Sequence, residues 1–233
     1  MLILAQHKGP KRISVAVAED EEVLRAIKSA IEHRLVEPIL IGDRIEVEKI
    51  ADRIGLDLTG VKLMDIKDKL LAARKATQLV NSGEADILMK GLVDTSVIMR
   101  QVLDKEIGLR TDRLISHGSI FEVATYHKIF LVSDAAMNIA PNLEQKKNIL
   151  NNVVELALLL GNDNPKVAVL ASKEKVSNKM EATVHAKQLA EMNRKGDIIG
   201  CIVDGPFALD NAISKEAALT KGISSDVAGD ADV

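Results

Sequence analysis

Asp86–Arg100, read as DILMKGLVDTSVIMR, decides how the rest of the chain is interpreted. Ile87, Leu88 and Met89 form a short unbroken apolar run between Asp86 and Lys90-Gly91. That is the pattern of a strand covered on both faces of a parallel sheet. Gly91 permits a sharp exit with exposed backbone amides. Asp94 suits the N-cap of a helix that starts at Thr95 and Ser96 and continues through Val97, Ile98 and Met99 to Arg100. A strand, a glycine and a helix start in that order aim free N–H groups and a helix dipole at one spot, which favours an anion. Lys90 and Arg100 can add positive charge there. An ordinary βα turn with surface cations would leave the same trace.

Working outward, strands alternate with helices through the whole first half. Ile13–Ala18 (ISVAVA) reads as a strand, with Asp20 capping a helix to about Leu35 whose stripe is Val23, Ile27, Ala30 and Ile31. Pro38–Ile41 is a second strand, Glu46–Ile54 a helix stopped at Gly55, Val61–Met64 a third strand and Asp68–Asn81 a helix ended by Gly83. This rhythm implies parallel βαβ crossovers and α/β/α layering. From Arg113 it changes. Leu114–Val123 and Lys128–Ser133 are β-rich runs whose separation, Ala124–His127, is too short for a helical crossover, so an antiparallel excursion is expected. Asn142 with Gln145 resembles a capping box opening a helix to Leu160. Lys166–Ala171, a helix over Ala182–Asn193, and Ile198–Val203 ending in Asp204-Gly205-Pro206 complete a second α/β region. A boundary near Pro141 divides the chain into lobes 1–140 and 141–233. Two α/β/α lobes with mostly parallel sheets around a cleft are expected, an architecture like that of isocitrate and isopropylmalate dehydrogenases.

Composition narrows the partners. The chain has 233 residues, a net charge of −3 and 47% hydrophobic residues, ample for a sizeable core. Near-neutral charge argues against a nucleic-acid partner, and with three Phe, one Tyr and no Trp there are few stacking platforms. The single cysteine, Cys201, cannot form an internal disulfide, and no Cys/His set has metal-ligand spacing. No stretch is long and apolar enough to span a bilayer, and Met1–Ala5 is too short for a signal-peptide core. The expectation is a soluble cytoplasmic protein with no membrane partner and no metal.

Five runs resemble the phosphate acetyl/butyryltransferase family, its butyryl members most: ADILMKGLVDT (Ala85–Thr95), GLRTDRLISH (Gly108–His117), SDAAMNIAPNLEQK (Ser133–Lys146), GCIVDGPFALDNAIS (Gly200–Ser214) and KGISSDVAGDADV (Lys221–Val233). They span nearly the whole chain in the family's order. The resemblance implies a reversible reaction of acyl-CoA with inorganic phosphate to give acyl phosphate and CoA. Coenzyme A would be a substrate, with no tightly bound cofactor, and a homodimer or larger homo-oligomer is implied. Family members continue past Val233 into a strand that Gly229–Val233 begins, an echo of Gly83–Ile87. The continuation carries a Ser-Arg pair and an Asp, to which phosphate holding and thiol deprotonation are ascribed. A truncated, inactive chain is therefore the expectation if the molecule ends at Val233.

The reaction needs an anion site, a base for a thiol, and donors for a carbonyl oxygen gaining charge. Lys90, Gly91, Thr95, Ser96 and Arg100 are candidates for phosphate contact. Ser116, His117 and Ser119, around Gly118, could donate to a carbonyl or phosphate oxygen, and neutral imidazole both donates and accepts. A polar loop satisfying its own backbone is the plainer alternative. Asp134 and Asn138 follow a buried strand, where open α/β sheets place ligands, and Asp134 could orient a cation such as Arg100 or Arg110. Ser116, His117 and Asp134 are taken as catalytic. The family motif carries Asp204, Asp210 and Asn211 as cleft residues on the CoA side, with N-capping the alternative for Asp210. Cys201 reads as core. His7, His33, His127 and His185 read as surface residues without partners. Two other functions compete: a metal- and NAD(P)-dependent oxidoreductase of the isocitrate dehydrogenase type, which shares a two-lobe cleft but needs clustered metal-binding aspartates that the sequence does not display, and an inactive CoA-binding fragment.

Overall fold

The computed structural model describes residues 2–233, which divide into two compact units, Met1–Asp112 and Arg113–Val233. In the first unit, α1 (Leu2–His7) precedes β1 (Lys11–Ala16), α2 (Glu21–Glu32), β2 (Val36–Gly42), α3 (Arg44–Ile54), β3 (Lys62–Asp65), α4 (Lys69–Asn81), β4 (Ile87–Lys90) and α5 (Thr95–Val102). The four strands make one parallel sheet in the order β3-β2-β1-β4. Three carboxylates start the helices: Asp20, Asp43 and Asp68 each accept a first-turn N–H. Gly55 at φ 66° closes α3 in the left-handed region, where a side chain would be strained. Apolar residues pack on both sheet faces. Val15, Leu24, Leu40 and Val47 lie on one; Val17, Ile41, Ala72, Ala76 and Leu79 lie on the other. The strand–helix alternation of the sequence thus becomes the layering it predicts.

The second unit contains β5 (Ser119–Phe121), β6 (Phe130–Val132), α6 (Leu143–Leu159), β7 (Lys166–Leu170), α7 (Glu181–Lys195), β8 (Ile202–Phe207), α8 (Leu209–Ile213) and α9 (Lys215–Thr220). β5 and β6 pair antiparallel, as the short intervening segment requires, and β7 and β8 pair parallel. Asp232 and Val233 lie between these two strand pairs. The Leu131 amide donates to the Asp232 carbonyl (2.8 Å), and the Ala168 amide donates to that of Val233 (2.8 Å). Ion pairs fix this stretch: Asp230 meets Lys166 (2.6 Å), Lys128 (3.1 Å) and His127 (2.8 Å), and Lys128 also meets Asp232 (2.7 Å). Burial pushes the Asp230 carboxyl up, but the bonds from Lys166, Lys128 and His127 outweigh it and hold it well below the usual carboxylate range. Helix α6 starts with the capping box read from Asn142 and Gln145.

Four sequence readings differ from the structure. Leu114–Val123 contributes only Ser119–Phe121 to a strand, because residues 114–118 are held by side chains instead of a ladder. The β8 strand begins at Ile202, not Ile198. Gly200 sits at φ 76°, and the Asn193 amide takes the carbonyls of Ile198 (3.0 Å) and Cys201 (2.9 Å), making this a turn. The short helices α1, α8 and α9 carry too little periodicity to be foreseen. Finally, the compact units meet between Asp112 and Arg113, ahead of the expected boundary at Pro141. Leu131 of β6 packs with Val153 and Ala157 of α6, which draws the β5–β6 hairpin into the second unit.

Candidate active site

In the first unit the carboxyl end of β4 is pinned to β1. Gly91 and Leu92 donate to the carbonyls of Ala16 (2.8 Å) and Val17 (2.9 Å). A Cβ on Gly91 would stand 2.1 Å from the Val17 carbonyl oxygen, so only glycine fits this approach. Beyond it lies a concavity lined by Asp68, Lys69, Lys90, Gly91, Leu92 and Val97, where α4 and α5 both begin. The Asp94 side chain does not cap α5, so the first-turn amides led by Thr95 and Ser96 are not taken by it. The Lys90 ammonium folds over this turn, donating to the carbonyls of Gly91 (3.2 Å) and Val93 (2.9 Å). Lys90, Gly91, Thr95 and Ser96 therefore share one end of the sheet. Arg100 is in the last turn of α5, about 7 Å further along the helix axis.

In the second unit a different set converges. Asp134 anchors its own turn. Its carboxylate accepts from the amides of Ala136 (3.0 Å) and Met137 (2.9 Å) and from the Asn138 side chain. Partial burial pushes this carboxyl up, yet the bonds from Met137, Ala136, Asn138 and the His117 backbone prevail and hold it at about 2. The carboxylate is thus engaged by its own turn and by His117, in place of the Arg100 or Arg110 partner the sequence suggested. Asn138 also donates to the Ile115 carbonyl (3.1 Å), and the Ser133 hydroxyl donates to that of His117 (2.6 Å). Asn152 of α6 reaches the Leu114 carbonyl (2.7 Å) and the Ser116 hydroxyl (3.0 Å). These bonds hold Ser116 and His117 in one fixed loop against Asp134. The His117 Nδ1 is buried with no partner among the described residues, and its Nε2 lies 3.5 Å from the Ser119 hydroxyl. A buried ring nitrogen without a partner is costly unless something else satisfies it.

Asp204, Asp210 and Asn211 lie elsewhere in this unit. The Asp204 carboxylate accepts from the Ser225 hydroxyl (2.6 Å) and the Gly205 amide (2.9 Å). Asp210 pairs with Lys221 (2.9 Å), and the fully buried Asn211 donates to Glu174 (2.9 Å), whose carboxylate also receives Lys221. Ala208 holds the N-cap position of α8 with no side-chain cap, so Asp210 is not its N-cap. Sequence reading missed Ser133, Asn152, Glu174 and Lys221, polar residues at spacings that carry no signature. It also missed the partners of three histidines. His33 contacts the Ser29 carbonyl (2.7 Å), His127 meets Asp230, and His185 receives Lys146 (3.0 Å). Cys201 is buried in the core, its thiol pushed up to about 11 by burial. Among the described residues no cluster of His, Cys, Asp or Glu could hold a metal ion. No described helix is long and apolar enough to cross a membrane.

The model for the family described as phosphate acetyl/butaryl transferase matches residues 2–75 and 69–233. The chain belongs to this family. It is 48% identical to the phosphate butyryltransferase of Clostridium beijerinckii over 96% of its length and 74% of that protein. It is 42% identical to the enzyme of the same name from Clostridium acetobutylicum over 100% of its length and 77% of that protein. Among solved structures it superposes on a branched-chain phosphotransacylase of Enterococcus faecalis V583 with a TM-score of 0.81, at 30% identity, covering 95% of this chain and 77% of the other. A phosphotransacetylase from Streptococcus pyogenes, at 23% identity and a TM-score of 0.73, shares the fold. These superpositions correct the isocitrate/isopropylmalate dehydrogenase-like architecture: the fold is that of the phosphotransacylases. Alternating strands and helices dictate layering and crossover hand, but not the strand order or the fate of sheet edges. The dehydrogenase likeness rested on a two-lobe outline that unrelated chemistries share.

Proposed function

We propose that this chain catalyses reversible acyl transfer between coenzyme A and inorganic phosphate, with a butyryl or similar short acyl group. The observation that carries this reading is the family match along nearly the entire chain, joined to relatives at 42% and 48% identity that are phosphate butyryltransferases. In the forward direction a phosphate oxygen attacks the thioester carbonyl, the carbonyl oxygen takes up negative charge, and collapse breaks the C–S bond. The products are acyl phosphate and the CoA thiol, which takes a proton. No redox step or metal is required by this balance.

Ser116 and His117 are assigned to the carbonyl oxygen. Both are donors, their loop is held by Asn152, Asn138 and Ser133, and fixed donors aimed at developing charge are the strongest catalytic device available here. Asp134 is assigned as the carboxylate that keeps this loop in place, since its low pKa leaves it charged under working conditions. Lys90, Gly91, Thr95 and Ser96 are assigned to a phosphate group, held by the start of α5 and one ammonium. Asp204, Asp210 and Asn211 are kept as contributors to substrate binding on the strength of the family motif, and Arg100 as added positive charge on α5. Coenzyme A is a substrate in this scheme, and a homodimer is the assembly proposed.

The test supplies the protein with butyryl-CoA and phosphate and follows thiol release. Phosphate-dependent release faster with butyryl-CoA than with acetyl-CoA is expected. Release with neither substrate would sink the assignment, and reduction of NAD(P) with a metal and a hydroxy acid would replace it.

A further inference from the structure

We infer that Asn152 sets the direction of the Ser116 hydroxyl proton, making Ser116 a one-way donor to the thioester carbonyl oxygen, and that Arg113 in turn sets the orientation of Asn152. This rests on the acyl-transfer reading and adds the two positioning residues behind its carbonyl contact.

Arg113 reaches α6 at two points, pairing with Glu155 (2.6 Å) and donating to the side-chain oxygen of Asn152 (2.9 Å). A guanidinium carries only donors, so the oxygen of Asn152 must be the atom that faces it, and the NH2 group must face the other way. Both N–H groups on that side are used. The Leu114 carbonyl takes one (2.7 Å) and the Ser116 hydroxyl oxygen takes the other (3.0 Å). Ser116 is therefore an acceptor toward Asn152. A hydroxyl has a single proton, and that proton cannot point at a group that is itself donating. Among the described residues the Ser116 proton has no acceptor, and the side chain is half-buried, so the proton is left for a bound molecule. His117 differs. One of its ring nitrogens has no partner among the described residues and the other lies 3.5 Å from the Ser119 hydroxyl, so no neighbour dictates its tautomer. Of the two donors assigned to the carbonyl oxygen, Ser116 is thus the one whose polarity is fixed before substrate arrives. A proton already turned outward needs no reorientation when the carbonyl oxygen gains charge, which is what a preorganised oxyanion donor requires. Asn152 and Arg113 are positioning residues in this arrangement, since they act through Ser116.

The experiment compares Asn152→Asp with Asn152→Ala. The carboxylate introduced by Asn152→Asp keeps the size of the side chain and its hold on Arg113 but can only accept, so it draws the Ser116 proton away from substrate. Asn152→Ala leaves the hydroxyl free to turn. For phosphate-dependent thiol release from butyryl-CoA, Asn152→Ala should lower kcat about tenfold and Asn152→Asp about 100-fold, the loss expected for a missing oxyanion donor, with KM little changed. In a Ser116→Ala background Asn152→Asp should change kcat less than about twofold, since the proton it redirects is gone. A side chain that only braces the loop gives the opposite order, because truncation removes more contacts than the near-isosteric change. That order, or losses that add in the double variant, would overturn the proposal. A second readout needs no turnover: the infrared carbonyl stretch of butyryl-CoA, isotope-labelled at its carbonyl carbon and bound without phosphate. A donated hydrogen bond lowers this frequency. Wild type should lower it, and both Ser116→Ala and Asn152→Asp should move it back toward the value of free butyryl-CoA. No lowering in wild type, or a spectrum unchanged by Asn152→Asp, would overturn the proposal. An Asn152-dependent spectrum without thiol release rejects the reaction and leaves this inference standing; thiol release with an Asn152-independent spectrum does the reverse.

Discussion

The two units of this chain are held together by different means. Met1–Asp112 is a four-stranded parallel sheet covered by helices, with apolar packing on both faces. Arg113–Val233 has apolar clusters of its own, and its two short strand pairs are tied by the backbone of Asp232 and Val233 and by polar side chains. Asn138 and Asn152 bind backbone carbonyls of the 114–118 loop, and Asp230 gathers Lys128, Lys166 and His127. A layered core tolerates change at polar positions but not a loss of volume or an added methyl group. A unit braced by side-chain hydrogen bonds is sensitive to single carboxylates and amides, and to acid. The groups proposed for carbonyl chemistry sit in the second kind of structure, where donors are fixed one at a time.

Five predictions would break or sharpen that contrast, the largest first. Leu40→Ala should cost about 2–5 kcal/mol, read as a lower urea midpoint, because Leu40 is fully buried in the first unit's core. Gly91→Ala should cost about 1–3 kcal/mol in the same experiment, because the added Cβ meets the Ala16 and Val17 carbonyl oxygens and backbone must shift. His117→Ala should lower kcat about 100-fold with little change in urea midpoint, since a donor is lost without any core volume.

The fourth prediction concerns pH. The unfolded Asp134 carboxyl titrates near 3.9, whereas the folded one is held at about 2. Its stabilisation is therefore complete above about pH 5 and drains away as pH falls through the folded value, to a total of about 2–3 kcal/mol. Asn138→Ala should narrow that difference and raise the midpoint of acid unfolding. A midpoint unchanged by Asn138→Ala would mean the second unit does not depend on this brace. As a contrast within the first unit, Asp86→Ala should barely move the thermal midpoint. Its ion pair with Arg12 at 2.7 Å is solvent-exposed, and such pairs contribute little.

How much was legible follows the same division. The first unit's strands and helices were readable because burial on both sheet faces writes unbroken apolar runs, and helices write caps: Asp20, Asp43 and Asp68 all cap as carboxylates should. In the second unit Leu114–Val123 looked like a long strand, yet most of it is a loop tied by Asn138 and Asn152, whose amides lie 23 and 38 residues from the carbonyls they bind. No periodicity encodes a bond of that kind. His185 looked solitary for the same reason, its partner Lys146 being 39 residues away. Ser116, His117, Asp134 and Asn138, named from the sequence as candidates, do share this one braced loop.

Tyr126 donates to the Ala231 carbonyl across 105 residues, and His127 meets Asp230 across 103. During synthesis, then, the second unit cannot complete its bracing until residue 230 and its neighbours have left the ribosome, whereas β1 and β2 of the first unit can pair within some forty residues of the start. The nascent chain should carry a finished first unit and an unsettled second one while residues 113–230 are being made, and that interval is when a chaperone would find it.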